Sequence, residues 1–192
     1  MNLPNCITVS RLVITAGVFV CLEAMADPRQ PDTTLAWAAF VLFLVAAFTD
    51  FLDGWLARRW QMVTAFGRVA DPFADKVLIA GSLVTLLQFP AVTGANVLTT
   101  WYVVVVIARE FLVTAIRGVV EASGRPFPAD QLGKWKMVSQ CWTVACLMTM
   151  VAGSTIWVWG AVWGFWVSLF LTVVSGLNYV WKARDVLFRG AR

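Results

Sequence analysis

Apolar positions run through this chain in long blocks, and polar residues gather in the gaps between them. Six blocks, near residues 8–26, 35–56, 72–90, 97–121, 132–152 and 156–181, are long enough to cross a bilayer as helices. A crossing helix takes about 20 residues. The connections Pro28 to Thr34, Pro90 to Asn96 and Ser123 to Gln131 are short and rich in turn formers. No linker divides the chain, so residues 1–192 read as a single integral-membrane domain. The expected fold is all-α, with six transmembrane helices. Trp157, Trp159, Trp163 and Trp166 suit an aromatic belt at the outer interface.

Composition sharpens this picture. Of 192 residues, 60% are hydrophobic and 14% charged, against about 45–50% and roughly 25% in soluble domains. Disorder and a disulfide scaffold are excluded. Histidine is absent, which removes Ser-His-Asp and Cys-His catalysis and zinc sites built on imidazole. Acid–base work and metal binding therefore fall to the 11 acidic residues. Carboxylates without imidazole or thiolate favour hard divalent cations. Cys6, Cys21, Cys141 and Cys146 make no C-x-x-C pair and read as buried thiols.

Charge sets the orientation. With six spans, both termini lie on one side, and every lysine and arginine except Arg29 falls there too. The positive-inside rule makes that side cytoplasmic. The net charge of +4 then points to anionic head groups of the bilayer and not to nucleic acid.

Four acids stand out because they lie in or beside apolar helices. Asp50 and Asp53 are three residues apart near the end of the second block. Asp71 and Asp75 are four apart at the start of the third. Each pair shares a helix face, and a loop of about a dozen residues containing Gly67 would join the two helices as antiparallel neighbours. Four aspartates in a bilayer would cost on the order of 10 kcal/mol at mid-depth, and clustering adds repulsion. One or two divalent cations would offset both effects. Gly54 and Ala57 leave room for a ligand against the backbone, and Gly67 allows a close approach.

The spacing D-x₂-D-G-x₂-A-R-x₈-G-x₃-D-x₃-D is filled here by Asp50, Asp53, Gly54, Ala57, Arg58, Gly67, Asp71 and Asp75. It resembles the motif of the CDP-alcohol phosphotransferases, and length, span number and basic face extend the likeness over nearly the whole chain. The resemblance implies transfer of a CMP-linked phosphoryl group to an alcohol, with release of CMP. It implies that Asp50, Asp53, Asp71 and Asp75 hold two divalent ions, Mg²⁺ or Mn²⁺, and that Asp75 is the general base. Asp53, Gly54, Ala57, Arg58 and Gly67 fall where the family holds cytidine diphosphate. A homodimer, a polar active-site cavity facing the cytoplasm and a bacterial inner-membrane location are implied as well.

Three further segments resemble the subgroup that joins CDP-diacylglycerol to glycerol 3-phosphate. They are Asn2-Leu3-Pro4-Asn5-Cys6-Ile7-Thr8 with Arg11, then Ile107-Ala108-Arg109-Glu110-Phe111, and Gly133-Lys134-Trp135-Lys136. Met137 departs from the threonine usual there. An acceptor that carries a phosphate needs cations; Arg117, Lys134 and Lys136 lie toward the cytoplasmic ends of the fourth and fifth blocks, and Arg109 lies deeper in the fourth, broadly on the face of Arg117. They form the candidate acceptor-phosphate pocket. For Arg109 an ion pair with Glu110 or an aspartate is the competing role. Inositol phosphate, serine or phosphatidylglycerol as acceptor is the alternative within the family. A cation transporter is the alternative outside it, disfavoured because all four acids sit at one end of the membrane.

Overall fold

The structure is a computed structural model that describes residues 3–60, 65–124 and 130–189, with the backbone alone for 3–7, 50–60, 65–66, 68–69 and 185–189. The described residues form seven helices and no strand. These are α1 (Leu3–Glu23), α2 (Thr33–Trp60), α3 (Ala65–Leu86), α4 (Pro90–Thr93), α5 (Thr100–Ala122), α6 (Gln131–Val151) and α7 (Val158–Arg189). The all-α expectation holds, and each apolar block coincides with one long helix.

Boundaries differ where polar residues prolong a helix. The expected dozen-residue loop after the second block is largely helical. α2 runs through Asp50, Asp53 and Arg58 to Trp60, α3 starts at Ala65, and Gly67 is buried within α3. An apolar block marks how much helix suits lipid, whereas arginines are good helix formers and carry the backbone further. Pro72 lies inside α3 and does not open it. At Pro90 the usual rule works. Phe89 is extended, and Pro90 supplies the first position of the single turn α4. Gly153, at φ +83°, takes the left-handed conformation just past the end of α6.

Packing places α6 against α7, α1 against α2 and α3, and α5 against α7. The interior is apolar around Val18, Phe43, Leu83, Tyr102, Leu147 and Phe165. A Cβ at Gly81 would stand 2.3 Å from Phe19 Cζ, so the glycine lets α3 close on α1.

Unlike a soluble protein, the bundle is apolar on the outside as well as in its core, and it buries several polar residues. Phe111 (72% exposed), Trp159 (75%) and Trp163 (69%) face outward. Ser168, Thr172 and Ser175 of α7 are fully buried. Tyr102 hydrogen-bonds Ser168 at 2.6 Å, and Gln140 Nε2 donates to Thr172 at 3.1 Å. Interhelical hydrogen bonds of this kind hold helices together where lipid removes the hydrophobic driving force. Among the described residues, Val158–Arg184 is by itself long and apolar enough to cross a membrane, and Thr33–Thr49 is a shorter apolar stretch.

Candidate functional site

Two polar groups are built into this apolar bundle. The first lies between α1 and α3. Thr8, Arg11 and Thr15 recur at helical spacing on one buried face of α1. Asp71 and Asp75 repeat four apart on α3. Thr8 Oγ donates to Asp71 Oδ1 at 2.6 Å, and Arg11 Nη1 donates to Asp75 Oδ1 at 3.1 Å. The Arg11 side chain is fully buried, while Asp75 keeps 26% exposure. Asp75 is thus anchored from behind and still reachable.

The second group lies where α5, α6 and α7 meet. Arg109 and Lys136 both contact Glu110 Oε1, Arg109 Nη1 from 3.1 Å. Arg109 Nη2 donates to Ser175 Oγ at 3.0 Å, and its guanidinium stands 5.6 Å from the Tyr179 ring centroid. Arg117 Nη2 donates to the Tyr179 hydroxyl at 3.3 Å. The Nε atoms of Arg109 and Arg117 are buried and have no hydrogen-bond partner among the described residues. An unmet buried donor on a cation is costly unless an acceptor fills it. The group therefore suits an anion.

Lys76 connects the two groups. It follows Asp75 on α3, and its Nζ donates to Thr114 Oγ1 at 2.6 Å across to α5. Thr114 in turn donates to the Glu110 carbonyl at 2.7 Å. Beside the second group, Asp130 precedes α6 and is held from α7 by Asn178 and by Lys182 Nζ at 3.1 Å. The hydrogen bond from Lys182 keeps the Asp130 carboxyl below its ordinary pKa.

Of the residues expected from sequence, Asp71 and Asp75 are brought together with α1. Arg109, Arg117 and Lys136 are brought together around Glu110 and Tyr179. Lys134 is exposed: two residues from Lys136 on a helix, it points to another side. The competing role for Arg109 is also present, as its pair with Glu110. Asp50, Asp53, Gly54, Ala57 and Arg58 lie on the α2 backbone, and their side chains fall outside the described residues. Sequence reasoning singled out Thr8 and Arg11 only as part of a subgroup-like segment, without a contact, and passed over Ser175 and Tyr179. The signal for Ser175 and Tyr179 was present as polar residues at 168, 172, 175 and 179, a near-3.5 period along one face of an apolar helix.

Carboxylates are the donors a hard divalent cation takes, and among the described residues Asp71 and Asp75 are not joined by a third such ligand. Asp71 and Asp75 supply carboxylate oxygens one helical turn apart, and each is already oriented by a hydrogen bond from α1, as metal-binding carboxylates commonly are.

Comparison with known proteins agrees with this chemistry. Residues 1–174 match the family model described as CDP-alcohol phosphatidyltransferase. A Bacillus subtilis (strain 168) protein named CDP-diacylglycerol--glycerol-3-phosphate 3-phosphatidyltransferase is 35% identical, with 97% of each chain covered. Proteins of the same name from Escherichia coli (strain K12) and Rickettsia felis are 34% and 31% identical, with 95% and 93% of each chain covered.

Proposed function

The chain belongs to the CDP-alcohol phosphatidyltransferase family, and we propose that it transfers the phosphatidyl group of CDP-diacylglycerol to glycerol 3-phosphate. The products are phosphatidylglycerophosphate and CMP. The names of the relatives support the two substrates. The observation that carries the acceptor is the cationic group of Arg109, Arg117 and Lys136, with two buried, unfilled Nε–H donors. A phosphate-bearing acceptor would supply the oxygens to satisfy them.

In this reading the primary hydroxyl of glycerol 3-phosphate attacks the phosphorus that carries diacylglycerol. The bond from that phosphorus to the oxygen bridging to CMP breaks, and CMP leaves with that oxygen. Asp75 takes the hydroxyl proton as attack proceeds. Arg11 holds Asp75 in place, and Lys76 spans from the carboxylates toward the acceptor's cations. Asp53, Gly54, Ala57, Arg58 and Gly67 are the proposed cytidine diphosphate contacts, with Arg58 making a charge-assisted bond to phosphate. The family is generally dependent on divalent metal. Asp50, Asp53, Asp71 and Asp75 are the residues that would hold Mg²⁺ or Mn²⁺, two ions in this proposal, whose charge would stabilise the oxygens gaining charge in the transfer.

Six spans are proposed as α1, α2, α3, α5, α6 and α7, with α4 as the outer connection between α3 and α5. The basic ends then face the cytoplasm with both termini and the site's polar cavity, in a bacterial inner membrane. A homodimer is proposed on the family likeness and is checked by the mass of the detergent-purified protein.

The test is incorporation of radiolabelled glycerol 3-phosphate into lipid by purified protein with CDP-diacylglycerol and Mg²⁺. Label in the lipid phase, lost with EDTA and with Asp75→Asn, is the expected result. CMP release with serine, inositol phosphate or phosphatidylglycerol but not with glycerol 3-phosphate would overturn the acceptor. No CMP release with any of them would overturn the transferase.

A further inference from the structure

Tyr179 is only 3% exposed at the meeting of α5, α6 and α7. Its ring lies 5.6 Å from the Arg109 guanidinium, a cation–π distance. Its hydroxyl accepts from Arg117 Nη2 at 3.3 Å and from the Asp130 backbone N–H at 3.1 Å. The same face of α7 receives the rest of Arg109. Ser175 Oγ accepts from Nη2 at 3.0 Å. A Cβ at Gly176 would come within 3.3 Å of Arg109 Cγ, so glycine there makes room for the arginine's stem. Ser175, Gly176 and Tyr179 together form a cradle for one buried cation.

Geometry gives the cradle a purpose. Arg109 and Arg117 are eight residues apart on α5, about 12 Å along the axis at 1.5 Å per residue. A phosphate is much smaller than that, so two such long side chains serve one anion only if something draws them together. Tyr179 touches both. Through Asp130 it also fixes the residue preceding α6, which bears Lys136.

We propose that Tyr179 is a positioning residue of the acceptor-phosphate site. Its ring sets the Arg109 guanidinium, and its hydroxyl steers Arg117 and pins the start of α6. The inference rests on reading Arg109, Arg117 and Lys136 as that site.

The test compares the purified full chain with its Tyr179→Phe and Arg109→Lys variants. Phenylalanine keeps the ring and the packing and removes only the hydroxyl. KM for glycerol 3-phosphate should rise about tenfold, the scale of one hydrogen bond to a charged group. Both kcat and KM for CDP-diacylglycerol should stay within about twofold. Thermal stabilisation by glycerol 3-phosphate alone should shrink in parallel, which gives a readout independent of turnover. An unchanged acceptor KM in Tyr179→Phe, with a raised one in Arg109→Lys, would overturn the proposal and leave the pocket standing. A parallel rise in both substrates' KM values would also overturn it, by marking a general structural role. If Arg109→Lys too leaves the acceptor KM unchanged, the pocket itself falls, and the proposal with it.

Discussion

Arg11 Nη1 lies 3.1 Å from Asp75 Oδ1, and the arginine has no exposed side-chain surface. A buried guanidinium is retained where it is paired, because taking it out of water without a partner is costly. Here the pair joins the N-terminal helix to the carboxylate proposed as base. Arg11→Met keeps the bulk and removes the charge. It should destabilise the protein by about 1.5–3 kcal/mol, the range for hydrogen bonds to charged groups, and lower kcat more than either KM. Thermal unfolding and steady-state kinetics check both. Wild-type kcat in this variant would separate Arg11 from the chemistry.

Thr8 makes the corresponding contact to Asp71, at 2.6 Å. If the α3 carboxylates hold metal, losing an orienting hydrogen bond should weaken it about 10–100-fold. Thr8→Val is therefore expected to shift the Mg²⁺ or Mn²⁺ concentration for half-maximal activity upward by that factor. Saturating metal should restore most of kcat. Asp71→Asn should not recover at any metal concentration. Metal titration of activity after EDTA treatment distinguishes the two, and an identical titration curve for Thr8→Val would remove Thr8 from the metal site.

Legibility in the sequence followed the range of each signal. The long helices were visible because a lipid-spanning helix must be apolar over its whole length, and Asp71 and Asp75 were visible because acids in such company are expensive. The end of α2 was not, since Arg58 and Arg59 look like loop residues yet favour helix. Tyr179 and Ser175 escaped for another reason. Their partners, Arg109 and Arg117, lie more than sixty residues away in sequence, so only the packing of α5 against α7 makes them a site. Lys134 and Lys136 looked equivalent because charge alone does not say which way a helix residue turns.

Asp130 carries a pH signature. Lys182 holds its carboxyl below the ordinary value, so the unfolded chain binds the proton more readily. Stability from this pair is fully present above the unfolded pKa of about 3.9 and is lost as pH falls through the lower folded value. Lys182 is half-exposed, so the effect is screened and small. Asp130→Asn should lower the melting temperature by about 1–3 °C at pH 7 and low salt. The difference from wild type should shrink progressively as pH falls below about 4. A difference that does not shrink as pH falls below about 4 would assign the loss to the Asn178 contact.

Lys136 and Lys134 offer the cleanest contrast for the proposed acceptor pocket. Both begin α6, two residues apart, and a helix turns about 100° per residue. Lys136 is buried and paired with Glu110, whereas Lys134 is exposed. A cation that serves a bound anion from a desolvated position contributes far more than one in water. Lys136→Met should raise KM for glycerol 3-phosphate at least tenfold and leave KM for CDP-diacylglycerol within about twofold, whereas Lys134→Met should move neither beyond about twofold. Added salt sharpens the distinction, because exposed charges are screened within about 10 Å at 0.1 M and buried ones much less. The Lys136→Met defect should therefore persist at 0.5 M salt. Equal defects in the two variants would mean that the basic cytoplasmic surface attracts the acceptor only diffusely, without a pocket built by Arg109, Arg117 and Lys136.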